Sequence, residues 1–110
     1  MPMSNKSITV IAWNNGSYRP TGAGYGIELR AEDRDNYFNR RWKKVFLRLE
    51  GKLEDIKVNL SESFWNECPE LRSKYIGIWL IRNRKAPWQK GRPPKTIMEF
   101  VRGNKFRVNF

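Results

Sequence analysis

The chain has 110 residues and a mass of 13.1 kDa, the size of one domain built around one hydrophobic core. Its 22 Lys and Arg against 11 Asp and Glu leave a formal charge of +11 and a pI near 10.2, which resists self-association and attracts polyanions. With no histidine and one cysteine, Cys68, the composition excludes an intramolecular disulfide, a thiolate metal cluster and most nucleophilic triads, and no cofactor or metal is expected.

Five tryptophans and 14% aromatic residues supply enough apolar bulk to argue against global disorder. No apolar run is long enough for a membrane span, and "MPMSNKSITVIAW" is too short in apolar residues for a signal peptide. An intracellular protein, of cytoplasm, nucleoid or nucleus, without a membrane partner is therefore expected. Residues 1–110 are read as a single domain with residues 1–6 as a flexible N-terminus.

In chain order, "SITVIAW" is short and β-branched, the composition of a strand, and "NNGSYRPTGAG" follows as a loop whose glycines and small hydroxyls suit a projecting, adaptable segment. "GYGIELRA" alternates Ile27 and Leu29 with Glu28 and Arg30, a second strand. "AEDRDNYFNRRW" has acids in front and bases behind, as a short helix favours. "KKVFLRLEGK" and "DIKVNL" place Val45, Leu47, Leu49 and Ile56, Val58, Leu60 on one face each, joined near Gly51 as a hairpin. "SESFWNECPELRSK" offers Ser61 or Ser63 as a cap, and Pro69 limits it to one turn followed by loop. "KYIGIWLIRNR" satisfies both a buried strand and a short amphipathic helix. "KTIMEFV" and "KFRVNF" flank "RGN" as a closing hairpin. Six or seven short strands with one or two short helices make a mainly β (α+β) small pseudobarrel, open or closed.

The chemistry is concentrated in "RNRKAPWQKGRPPK", where Arg82, Arg84, Lys85, Lys90, Arg92 and Lys95 meet no carboxylate. A phosphate chain would relieve their mutual repulsion and release counterions, and Pro87, Pro93 and Pro94 reduce the entropy lost on docking. Trp88 either stacks on a base or anchors the loop to the core. A second cluster, "NRRWKK", holds Arg40, Arg41, Lys43 and Lys44; if Lys44 faces outward with Phe46 and Arg48, the two clusters could form one footprint. In "GSYRPTGAG", Ser17, Tyr18, Arg19 and Thr21 could read bases or backbone. For catalysis the sequence offers only Glu50 and Lys52 in "LEGK" with Asp33 or Asp35 upstream, the minimal elements of a metal-dependent nuclease, and the chain is read as non-enzymatic. Cys68 beside Pro69 reads as a small buried hydrophobe.

The segments "GIELRAEDRDNYF", "KKVFLRLEGKLEDIKVNL", "IGIWLIRNRKAPW" and "PPKTIMEFVRGNKFRVNF" together resemble the B-three type DNA-binding pseudobarrel of plant transcription factors and restriction-enzyme recognition domains. Gly77 and Trp79 stand near that family's Gly-Trp pair, here separated by Ile78, and Phe106, Val108 and Phe110 match its alternating end, while "RPPK" replaces the acidic Gly-Asp turn of many members. The resemblance implies a helix at "KYIGIWLIRNR". It also implies two DNA-gripping arms, one near Ser17 to Thr21 and one in a later loop between central strands, with phosphate contacts from flanking Lys and Arg. Double-stranded DNA is accordingly the expected partner, favoured over RNA. The alternatives are an RNA- or single-strand-binding barrel of OB-like or pseudouridine-synthase-associated type, a metal-dependent nuclease, and an interaction module for an acidic protein partner.

Overall fold

The computed structural model describes residues 6–110; the flexible N-terminus expected at residues 1–6 falls almost wholly outside the described residues. Seven strands form one sheet: β1 (Ser7–Asn14), β2 (Tyr25–Glu28), β3 (Lys44–Leu49), β4 (Ile56–Asn59), β5 (Glu70–Arg72), β6 (Lys95–Arg102) and β7 (Lys105–Asn109). Three short helices interrupt them, α1 (Ala31–Tyr37), α2 (Glu62–Asn66) and α3 (Lys74–Arg82). The order across the sheet is β4-β3-β7-β6-β1-β2-β5, and β4 and β5 approach each other at the seam, so the sheet curls into a nearly closed barrel. Both seam strands are short, which limits the unpaired edge they leave.

Side-chain alternation decides which face is inside. Ile8, Val10 and Ala12 of β1, Val45, Leu47 and Leu49 of β3, and Phe106 and Val108 of β7 are buried, while the residues between them face out. All neighbours pair antiparallel except β3 and β7, which run parallel with Phe46 opposite Lys105 and Leu49 opposite Val108.

The undecided segment is a helix. In α3 the Ser73 hydroxyl accepts from the Tyr75 amide, and Ile76, Trp79 and Leu80 turn inward, a stripe at helical spacing that a strand could not bury together. The helix closes the barrel mouth formed by the ends of β1, β3, β5 and β7. At its C-terminal end the Trp79 indole donates to the Glu50 carbonyl (2.8 Å) and stacks on Phe110 at 4.2 Å. Near its N-terminus the backbone of Gly77 meets that of Gly22: a Cβ at Gly77 would lie 2.7 Å from the Gly22 Cα, and one at Gly22 (φ +94) would run into the Lys74 carbonyl. The loop after β1 is thus docked on α3, not adaptable as its composition suggested.

The other mouth is plugged by aromatics. Phe38 stacks on Phe106 at 5.0 Å and meets Phe64 at 5.2 Å, with Trp42 edge-on to both Phe38 and Phe106. Buried Arg34 ties α1 to α2 by donating to the Phe64 carbonyl (2.9 Å). α2 is the expected single turn, capped by Ser61, but the segment after it is not all loop: Glu70–Arg72 adds to the edge of β2. Cys68 is exposed, against expectation, because Pro69 takes the inward position in the tight connection where the Glu70 amide donates to the Cys68 carbonyl.

Gly77→Ala should lower unfolding free energy by about 1–3 kcal/mol despite alanine's better helix propensity, because the added methyl overpacks a backbone-to-backbone contact. Urea denaturation measures the sign, which a purely local helix effect would reverse.

Candidate nucleic-acid interface

The loop Asn15–Gly24 is braced from within. The Asn15 carboxamide oxygen accepts from the Ser17 amide (2.8 Å), and the Arg19 amide donates to the Ala23 carbonyl while the Gly22 amide donates to that of Arg19. Its tip therefore holds Ser17, Tyr18, Arg19 and Thr21 outward, all exposed.

Behind this tip an aromatic chain reaches the basic loop. Tyr18 packs on buried Tyr25 at 5.2 Å, and Tyr25 on half-buried Trp88 at 5.7 Å. Burial pushes the Tyr25 phenol above its usual range, with Tyr18 adding to the effect, so Tyr25 stays neutral as packing material. Trp88 occupies the anchoring role. It clamps the loop Asn83–Pro94 beside the loop Asn15–Gly24, and the Ala12 amide secures the loop's far end by donating to the Pro94 carbonyl (2.8 Å).

The basic loop leaves α3 through Arg84, whose φ of 60° is left-handed, with the Arg84 amide bonded to the Ile81 carbonyl and the Lys85 amide to that of Leu80. A glycine would adopt this helix-terminating conformation with less strain. The chain instead places an exposed guanidinium there. Arg82, Arg84, Lys85, Lys90, Arg92 and Lys95 are all exposed, and among the described residues none of them forms an ion pair.

Two further cations escaped the sequence reading. Arg72 and Lys74 bracket the start of α3 and, with Trp13, Asn15, Gly24 and Tyr25, line a cleft of about 320 Å³ between the loop Asn15–Gly24 and the β5–α3 junction. The Arg72 guanidinium lies 4.8 Å from the Trp13 ring centre, reaching across side-chain-less Gly26 while Glu70 grips it from the other side. The signal in the sequence was the absence of any carboxylate from Leu71 to Met98, a stretch longer than the basic loop itself.

The second sequence cluster is elsewhere. Arg40, Arg41, Lys43 and Lys44 lie at the opposite mouth, and Arg40 is paired with Asp35 (3.4 Å). Phe46 is level with Lys105, and Lys105 with Arg102 at the far end of β6 from Lys95. At about 3.3 Å per residue, Lys44 and Lys95 are therefore separated along the sheet by roughly 26 Å. The two clusters do not form one footprint, because strand register, invisible in sequence, places them at opposite ends.

The nuclease-like residues are also dispersed. The Glu50 carboxylate accepts from the Phe110 amide (2.9 Å) at the α3 mouth. Asp33 pairs with Arg30 and Asp35 with Arg34 on α1. Among the described residues no three His, Cys, Asp or Glu gather as a metal site. No helix among the described residues is long and apolar enough to cross a membrane.

No protein-family model, no curated protein and no solved structure matches this chain.

Negative charge begins at the border of this surface with Glu28 and Glu70, directly opposite each other on β2 and β5. Partial burial, then the neighbouring Glu70, raises the Glu28 carboxyl above its usual value, so ionised Glu28 costs stability at neutral pH. A raised folded-state pKa means that this cost is absent below the unfolded value and appears as pH rises through the folded one. Glu28→Gln should accordingly raise Tm at pH 7 and lose that advantage in acid below the ordinary glutamate range, which parallel thermal melts of both proteins would check.

Proposed function

We propose that this protein binds double-stranded DNA with the α3 mouth of its barrel, the docked loop Asn15–Gly24 and the basic loop Asn83–Pro94 acting as two adjacent grips. The single observation that carries this reading is the company the cations keep. Among the described residues the basic-loop side chains stand outside every ion pair, on a stretch without acids, whereas Asp33, Asp35, Asp55 and Glu70 are spent on other bases. Cations left free in this way gain most from phosphate, which they neutralise with release of condensed counterions.

The B-three resemblance supports the same partner and accounts for Ser17, Tyr18, Arg19 and Thr21 as the base-reading arm. A second arm in a loop between central strands fits less well. The connection between β3 and β4 carries Glu50, Glu54 and Asp55 against Lys52, a balance that repels phosphate. The basic loop, anchored by Trp88 and preset by Pro87, Pro93 and Pro94, supplies the phosphate contacts instead. Arg72 and Lys74 add cations in the cleft beside the loop Asn15–Gly24.

Binding of a short duplex should weaken steeply from low to moderate salt, by a log–log slope of about −0.9 for each phosphate neutralised. Arg84→Gly separates function from fold: it should stabilise the protein by about 1 kcal/mol while reducing the salt slope by about 1 and weakening binding to all sequences alike. Fluorescence anisotropy across a salt series and urea denaturation supply both readouts. Binding that is indifferent to salt, or untouched by Arg84→Gly, removes the proposal's basis.

A further inference from the structure

A second cationic surface lies outside the α3 mouth, on the outer wall formed by β4, β3 and β7. Alternation turns Phe46 outward at the centre of this wall, half-exposed, and register places Lys57 of β4 and Lys105 of β7 directly on either side of it. Lys44, two residues earlier on the same face, holds its ammonium 5.7 Å from the Phe46 ring centre. One row further along β3 are Arg48 and Arg107. Asp55 accepts from Arg48 at 2.8 Å and from Lys105 at 3.1 Å, which fixes those two side chains in place. Lys44, Lys57 and Arg107 are exposed and, among the described residues, have no acidic partner.

We infer that this wall is a binding surface for unpaired nucleotides, with a base stacked on Phe46 and the flanking phosphates held by Lys44, Lys57 and Arg107. A phenyl ring offers little to a duplex, whose bases are already stacked inside and whose phosphates form the rim. A single strand presents both parts at once, a free π-face for the ring and phosphates for cations on the neighbouring strands. An acidic protein would use the cations without needing a ring at their centre, whereas every unpaired nucleotide brings a phosphate and a planar base together. The surface uses no residue of the α3 mouth, so it stands or falls separately from duplex binding.

The test uses a fluorescent oligothymidylate and a short duplex as probes, each titrated with the protein and with Phe46→Ala. The variant should bind oligothymidylate more weakly by roughly fivefold or more, the stacking contribution of one base, with duplex affinity unchanged. Ultraviolet crosslinking of oligothymidylate to the unsubstituted protein should place the adduct on the peptide that contains Phe46, an outcome that does not depend on how the variant folds. Unchanged oligothymidylate affinity in Phe46→Ala, an equal loss for both probes, or crosslinks confined to other peptides would each overturn the inference.

Discussion

The contact between two glycines, Gly22 and Gly77, sets the geometry on which the proposed interface depends. With no side chain on either, the backbone of the β1–β2 loop lies against α3, and the loop tip is held at a fixed height above the barrel mouth. The other end of α3 is pinned by Trp79 to Glu50 and Phe110, so the helix is a crossbar between the early loop and the end of β7. Tyr18, Tyr25 and Trp88 then carry this rigidity to the basic loop. A flexible grip loses entropy when it closes on a ligand; one braced on a helix has lost most of it on folding.

Charge is partitioned over the molecule as deliberately as apolar surface is. Carboxylates collect on α1, on α2 and on the β3–β4 connection, and where they meet arginine they hold it in place. Asp55 shows the balance: partial burial opposes its ionisation, but hydrogen bonds from Lys105 and Arg48 outweigh that and keep its carboxyl below the usual range. Asp35 is likewise held low by its hydrogen bond from Arg34. Two of the cationic regions that remain, the α3 mouth and the β4-β3-β7 wall, have aromatic rings among their cations.

Much of the barrel was legible because period-two alternation in β2, β3 and β7 leaves one reading once a single core is assumed, and β1 is β-branched. Val45, Leu47 and Leu49 can share a buried face only as a strand. Residues 74–82 were not legible, since Ile76, Ile78 and Leu80 satisfy a strand while Ile76, Trp79 and Leu80 satisfy a helix, and only the tertiary position of the Trp79 ring decides between them. β5 was missed because three residues with one buried side chain, Leu71, carry no periodicity at all. At the candidate site the exposed cations were readable from composition and their grouping was not. Lys44 and Lys95 are separated by strand register, and Arg72 reaches Trp13 only through a cross-strand alignment over Gly26.

The parallel pairing of β3 with β7 has a consequence for how the protein is made. Every other strand pair joins two antiparallel segments, but β3 must wait for the stretch from Lys105 to Asn109, translated long after it, before its second edge is covered. Until then the β3–β4 hairpin shows the ribosome's surroundings an open edge and the bare apolar side of Val45, Leu47 and Leu49. Closure thus comes late and through contacts of high sequence separation, as does the pairing of β1 with β6 across a still longer stretch of chain.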